Sequence, residues 1–158
     1  MNKYVIGSVI LVVSIIFVSY SLSDQKVPSV SGVASVVVVS EPSYDFGDID
    51  IFGGKVQTVY SVKNEGVEDV NILSAVTSCM CTEGQIGDLV FGMHGSSEKI
   101  VTIPAGGEKT LTAIFDPLAH GPDGTGKIKR ELVLETNSIA TPEIKVTFMA
   151  NVIKNKSE

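Results

Sequence analysis

The chain has 158 residues, with 12 Lys and Arg against 18 Asp and Glu for a formal charge of −6. That length suits one domain with appendages, and the absence of any Lys/Arg cluster excludes nucleic acid as a partner, since it calls for a basic patch. Apolar residues make up 44% and aromatics only 6%, with no Trp, so a core has to rest on Val, Ile and Leu, which favour strands.

Residues 4–20 (YVIGSVILVVSIIFVSY) carry no charge and are almost wholly apolar. A spanning helix needs about 17–25 such residues, whereas the apolar part of a cleaved signal runs to about 7–15. Length therefore favours a retained anchor, while the small residues of Ser19-Tyr20-Ser21 leave cleavage open. Lys3 ahead of the run puts the N-terminus in the cytoplasm by the positive-inside rule. The expected organisation is a membrane anchor or signal segment over 1–22, a flexible linker over 23–32 (Ser, Pro and Gly with single charges), a β domain over 33–153 and a polar tail over 154–158. The protein is then expected in the cell membrane with a single pass, its domain facing the periplasm or the cell exterior.

Within the domain, residues 33–40 (VASVVVVS) are too β-branched to favour a helix and predict a first strand. A short extended piece over 44–49 and a Gly53-Gly54 turn precede residues 55–63 (KVQTVYSVK), where Val56, Thr58, Tyr60 and Val62 share one face. Asn64-Glu65-Gly66 predicts a turn. Residues 70–77 (VNILSAVT) form the next strand and deliver the chain to Cys79. Glycines make 84–97 read as loop. Strands follow over 99–103, 109–115, 127–136 and 143–152. Asp123-Gly124 serves as a hairpin signal, and Ile128, Leu132 and Leu134 mark an inner face. Turn signals between the strands and no helical period beyond the anchor predict an all-β fold: an antiparallel β-sandwich of about seven strands, preceded by one N-terminal transmembrane helix.

Six features occur in order: Asp45-Phe46-Gly47-Asp48-Ile49, Asn64-x-Gly66, Ser78-Cys79-x-Cys81-Thr82, Pro104-x-Gly106, Phe115-Asp116 and Thr136-Asn137. Over residues 40–152 this pattern resembles the widespread bacterial Ig-like family of uncharacterised function, related to the Hydin and ASH-type sandwiches. The resemblance implies an Ig-like, secreted or membrane-anchored sandwich and supplies no catalytic residues. The family centre often reads Ser-Cys-Gly-Cys-Thr; here Met80 replaces the glycine.

The chemistry on offer centres on Cys79 and Cys81, the protein's two cysteines. In a flat strand their Cα atoms would lie about 6.6 Å apart, near the upper end of the range of about 4.4–6.8 Å for a disulfide, so a bridge calls for a bend. Redox work also calls for a basic neighbour or helix N-terminus to favour thiolate. None is evident, and Glu83 opposes it. As metal ligands the two thiolates would be joined by His94 and His120, the two histidines, both in glycine-rich loops, with Met80 and Met93 beside them. Such a set suits zinc or Cu(I), and thioether tips it towards Cu(I). The plain alternatives are a structural bridge or small buried apolar residues, with Asp116 and Asp123 as turn residues rather than Ca²⁺ ligands. No Gly-x-Ser-x-Gly elbow, phosphate loop or dinucleotide fingerprint occurs.

The reading is a non-enzymatic, membrane-tethered extracytoplasmic binding module. It would contact the membrane through its N-terminal helix and a protein partner through the domain, and bind a soft metal through Cys79, Cys81, His94, His120, Met80 and Met93. A thiol–disulfide protein using Cys79 and Cys81, or a purely structural envelope domain, are the rivals.

Overall fold

The computed structural model describes residues 32–96 and 99–155; the anchor expected over 1–22 and nearly all of the linker lie outside them. Eleven strands are present among the described residues: β1 Val37–Val39, β2 Ser43–Asp50, β3 Val56–Asn64, β4 Val70–Thr77, β5 Thr82–Ile86, β6 Leu89–Gly92, β7 Gly95–Ser96, β8 Val101–Ile103, β9 Glu108–Phe115, β10 Gly126–Thr136 and β11 Glu143–Ile153. They form a six-stranded sheet in the order β1-β3-β9-β5-β6-β7 and a five-stranded sheet in the order β2-β11-β10-β4-β8. The described domain is all-β, two sheets face to face, with no helix. Every strand pairing is antiparallel save β2 with β11, a departure from the wholly antiparallel expectation. β2 leads into the other sheet rather than into a hairpin, so nothing obliges it to run against its neighbour.

Alternation in the sequence becomes the two-layer core. Tyr60 and Val62 of β3, Leu111, Ala113 and Phe115 of β9, and Ile86 of β5 face Val70 and Ile72 of β4, Leu132 and Leu134 of β10, and Val146 and Phe148 of β11; all are buried. Phe115 and Phe148 meet across the layers with ring centroids 5.5 Å apart. Each such Leu, Ile or Phe contributes on the order of 1.5–3 kcal/mol by leaving water, which is how a domain without Trp holds together.

Two sequence expectations give way here. Residues 84–96 are not all loop: β5, β6 and β7 extend the six-stranded sheet, which raises the strand count above seven. Gly84 misleads because a glycine inside a strand marks close approach as readily as a turn. It pairs with Phe91 on β6, whose ring fills the space a Cβ would need. Nor does Asp123-Gly124 close a hairpin, because β9 and β10 belong to different sheets and the connection crosses between them.

Asn64 shows why its turn has the form it has. Fully buried, it donates Nδ2 to Glu68 O at 2.8 Å and to Ile103 O at 3.1 Å, while its Oδ1 accepts from Gly66 N at 3.0 Å. A side chain at position 66 would strike Ser35. The Asn-x-Gly pair is thus a polar pin with no room beside it.

Substituting Gly84→Val should destabilise the domain by about 1–3 kcal/mol through overpacking against the buried Phe91 ring, read as a lower denaturant midpoint. Restoration of the wild-type midpoint on adding Phe91→Leu would place the effect at that contact. Tyr60 generates a second expectation. Its hydroxyl donates to Thr147 O at 2.8 Å, joining the two sheets, and burial first, then Tyr44, pushes its pKa up to about 12. The unfolded chain releases this proton near pH 10 while the folded one retains it, so the contribution is intact below about pH 10 and lost as pH rises towards 12. Denaturant titrations between pH 8 and 12 should show a steeper alkaline fall for the wild type than for Tyr60→Phe.

Candidate functional site

β4 ends at Thr77 in the five-stranded sheet and β5 begins at Thr82 in the six-stranded one. Only residues 78–81 make the crossing, and they do so as a tight turn in which Thr82 N donates to Cys79 O at 3.1 Å. Thr77 Oγ1 sits 3.0 Å from Cys79 O and 3.1 Å from Thr82 O, holding the turn from inside the core. The Cα atoms of Cys79 and Cys81 come to 5.3 Å, shorter than a flat strand allows, and the two sulfurs form a disulfide. The bend that such a bridge requires is supplied by the change of sheet.

Another crossing between the sheets, from β9 to β10, starts at the same end. Thr82 pairs with Phe115, and Asp116 N donates to Cys81 O at 2.9 Å, so the chain leaving β9 starts beside the cysteine turn. Asp116 acts as a turn residue: its Oδ1 accepts Leu118 N at 3.0 Å. Successive turns, with Gly121 N donating to Leu118 O at 2.8 Å, then carry exposed His120 back over the site. Its Nε2 lies 3.2 Å from Cys79 Sγ. Asp123 sits farther along this loop, its carboxylate held below the ordinary range by a hydrogen bond and charge from Lys154 at 2.7 Å.

Arg130 completes the surroundings. On β10, Leu132 stands opposite Thr77 of β4, so the next inward-facing position before it, residue 130, falls beyond the end of β4 and alongside the turn. Arg130 Nε donates to Cys81 Sγ at 3.2 Å, and its Nη1 donates to Lys129 O at 2.9 Å. Burial lowers its pKa, but guanidinium remains charged at any physiological pH. The basic neighbour that seemed to be lacking is therefore present, 49 residues away in sequence. Its signal was its parity, because 128, 130, 132 and 134 alternate on one face. The opposing Glu83 is exposed, facing away between buried Thr82 and Gly84.

Of the candidate metal ligands, Cys79, Cys81 and His120 come together, each offering an atom within 4.8 Å of the others. His94 is not among them. With Met80 and Met93 it lines a separate shallow groove of about 350 Å³, shared with Val90, Phe91 and Glu83. Met80 is 69% exposed, at the tip of the turn. The two sulfurs differ in access, Cys81 being 3% exposed and Cys79 only half-buried.

Because the bridge spans a sequence separation of two, the loop it closes is very short. On a chain-entropy reckoning it contributes only about 1–2 kcal/mol. Reduction should therefore lower the unfolding free energy by no more than about 2 kcal/mol and leave a cooperative β domain. Denaturant curves with and without a dithiol reductant, read by far-UV circular dichroism, check this.

A search of the curated proteins found no match to this sequence. Among solved structures, a protein of unknown function from Porphyromonas gingivalis superposes with a TM-score of 0.60 at 16% identity. The match covers 80% of this chain and 51% of that one, so the chain spans about half the length of that relative. The ASH/PapD-like domain 7 of human CEP192 superposes with a TM-score of 0.48 at 13% identity over 85% of this chain and 97% of that domain. At such identities the likeness to the first shows the fold alone. The family resemblance carried by the ordered motifs is met by the family model itself, which matches residues 37–152 and with them both crossings and every residue of the site. The chain belongs to the family described as protein of unknown function, DUF1573.

Proposed function

We propose that this protein is a non-enzymatic, membrane-tethered Ig-like module, facing away from the cytoplasm, that binds a soft metal ion through Cys79, Cys81 and His120 when its disulfide is reduced. The observation that carries this reading is the approach of His120 Nε2 to within 3.2 Å of Cys79 Sγ, in a cluster with Cys81. A sulfur and an imidazole nitrogen bound to one ion at ordinary bond lengths stand about 3.5–3.7 Å apart, so His120 already stands near its place beside Cys79, and reduction frees the two sulfurs to part by the further distance a chelate needs. Two thiolates and an imidazole are soft donors suited to Cu(I) or zinc. The same sulfurs serve either the bridge or the metal, so oxidation and binding exclude one another. The tether rests on the uncharged stretch 4–20.

A second reading, thiol–disulfide exchange, is favoured by one specific observation: the bridged sulfurs carry different partners, His120 on the more accessible Cys79 and Arg130 on buried Cys81. A guanidinium beside a sulfur stabilises its thiolate.

Titrating the reduced chain with Cu(I) and with Zn²⁺, each against a competing chromophoric chelator, separates these readings. One equivalent should bind, His120→Ala should weaken it at least tenfold, His94→Ala should change it less than twofold, and the oxidised chain should bind none. An unchanged affinity in His120→Ala would sink the metal reading. Fast exchange of the bridge with a dithiol, indifferent to added metal, would turn preference to the second.

A further inference from the structure

We infer that Arg130 sets the charge of this site and thereby makes it selective for a monovalent soft cation, Cu(I), over Zn²⁺. The inference rests on the metal reading above and adds a specificity-determining residue to it.

The argument is one of charge. With both sulfurs as thiolates and His120 neutral, the three donors carry −2. A bound Cu(I) leaves −1 and a bound Zn²⁺ leaves zero. Arg130 adds one positive charge at hydrogen-bond distance from Cys81 Sγ. The Cu(I) assembly then becomes neutral, whereas the Zn²⁺ assembly becomes a partly buried cation, which desolvation disfavours.

Nothing else in the described structure neutralises that guanidinium. The ion pairs among the described residues are Lys63–Glu65, Lys129–Glu131, Lys145–Glu143 and Lys154–Asp123; Arg130 takes part in none. A half-buried cation without a carboxylate partner, its Nε–H aimed at sulfur and its far side held by Lys129 O, is a receptor for negative charge on that sulfur.

Donor number leaves the choice to charge. Three protein donors converge; Cu(I) can be held by these alone, whereas zinc would add a water to complete four-coordination. A unit charge in contact with a metal's ligand, at the effective dielectric of a protein surface, alters affinity by about one to two decades.

The test is a selectivity ratio. Cu(I) and Zn²⁺ affinities are measured by chelator competition on the reduced full chain for wild type, Arg130→Gln and Arg130→Lys. Arg130→Gln should lower the ratio of Cu(I) to Zn²⁺ affinity by about ten- to a hundredfold. Arg130→Lys, which keeps the charge, should stay near wild type in the ratio. Equal losses for both metals in Arg130→Gln would assign Arg130 a merely structural part and overturn the inference, as would an unchanged ratio. Wild-type chain that binds neither metal would instead remove the metal reading itself and the inference with it.

Discussion

The architecture of the site follows from one constraint: the chain must pass from one sheet to the other between Thr77 and Thr82 with four residues in hand. Facing sheets stand about 10 Å apart, so those residues cannot continue as a strand or wander as a loop. They fold into a turn closed by Thr82 N on Cys79 O and by the Thr77 hydroxyl. Side chains that would alternate at a fixed spacing on a flat strand are drawn together. The nearness of Cys79 and Cys81 is thus a product of sheet packing before it is a product of sulfur chemistry.

The same end of the sandwich receives the other parts. The β9 to β10 crossing starts beside the cysteine turn, because Phe115 is paired with Thr82, and its turns return His120 to Cys79. β10 projects past the end of β4, so the inward position that would pack on a neighbouring strand further along is instead free to meet a sulfur. A long stem ending in a charge fits that place, where apolar cover gives way to water. Arg130 occupies it, half-buried. Two sulfurs with unequal access, one beside an imidazole and the other beside a guanidinium, thus share one end of the sandwich.

Elsewhere the domain satisfies its buried polar groups internally. Asn64 satisfies three backbone groups in a buried turn, and Tyr60 ties β3 to β11 across the core. No buried side-chain nitrogen or oxygen among the described residues lacks a hydrogen-bond partner.

The strands over 55–63, 70–77, 109–115, 127–136 and 143–152 were legible because a half-buried strand writes its inner face into every second residue. So was the importance of the cysteine turn, since two thiols one residue apart are chemically conspicuous wherever they fall. Local pattern does not encode what lies opposite. Gly84 looked like a loop because the Phe91 ring that fills its missing side chain belongs to another strand. His94 and His120 looked alike because each sits among glycines, and only the path of the β9 to β10 crossing brings one of them to the sulfurs. Arg130 drew no notice, although its parity was visible, because its place beside Cys81 depends on the register that ends β4 at Thr77. The sequence by itself determined those five strands, their inner faces and the sulfur pair, all of which are local or periodic. The membership of the site was decided by sheet order, register and the length of two crossings, which exist only once the sheets have packed.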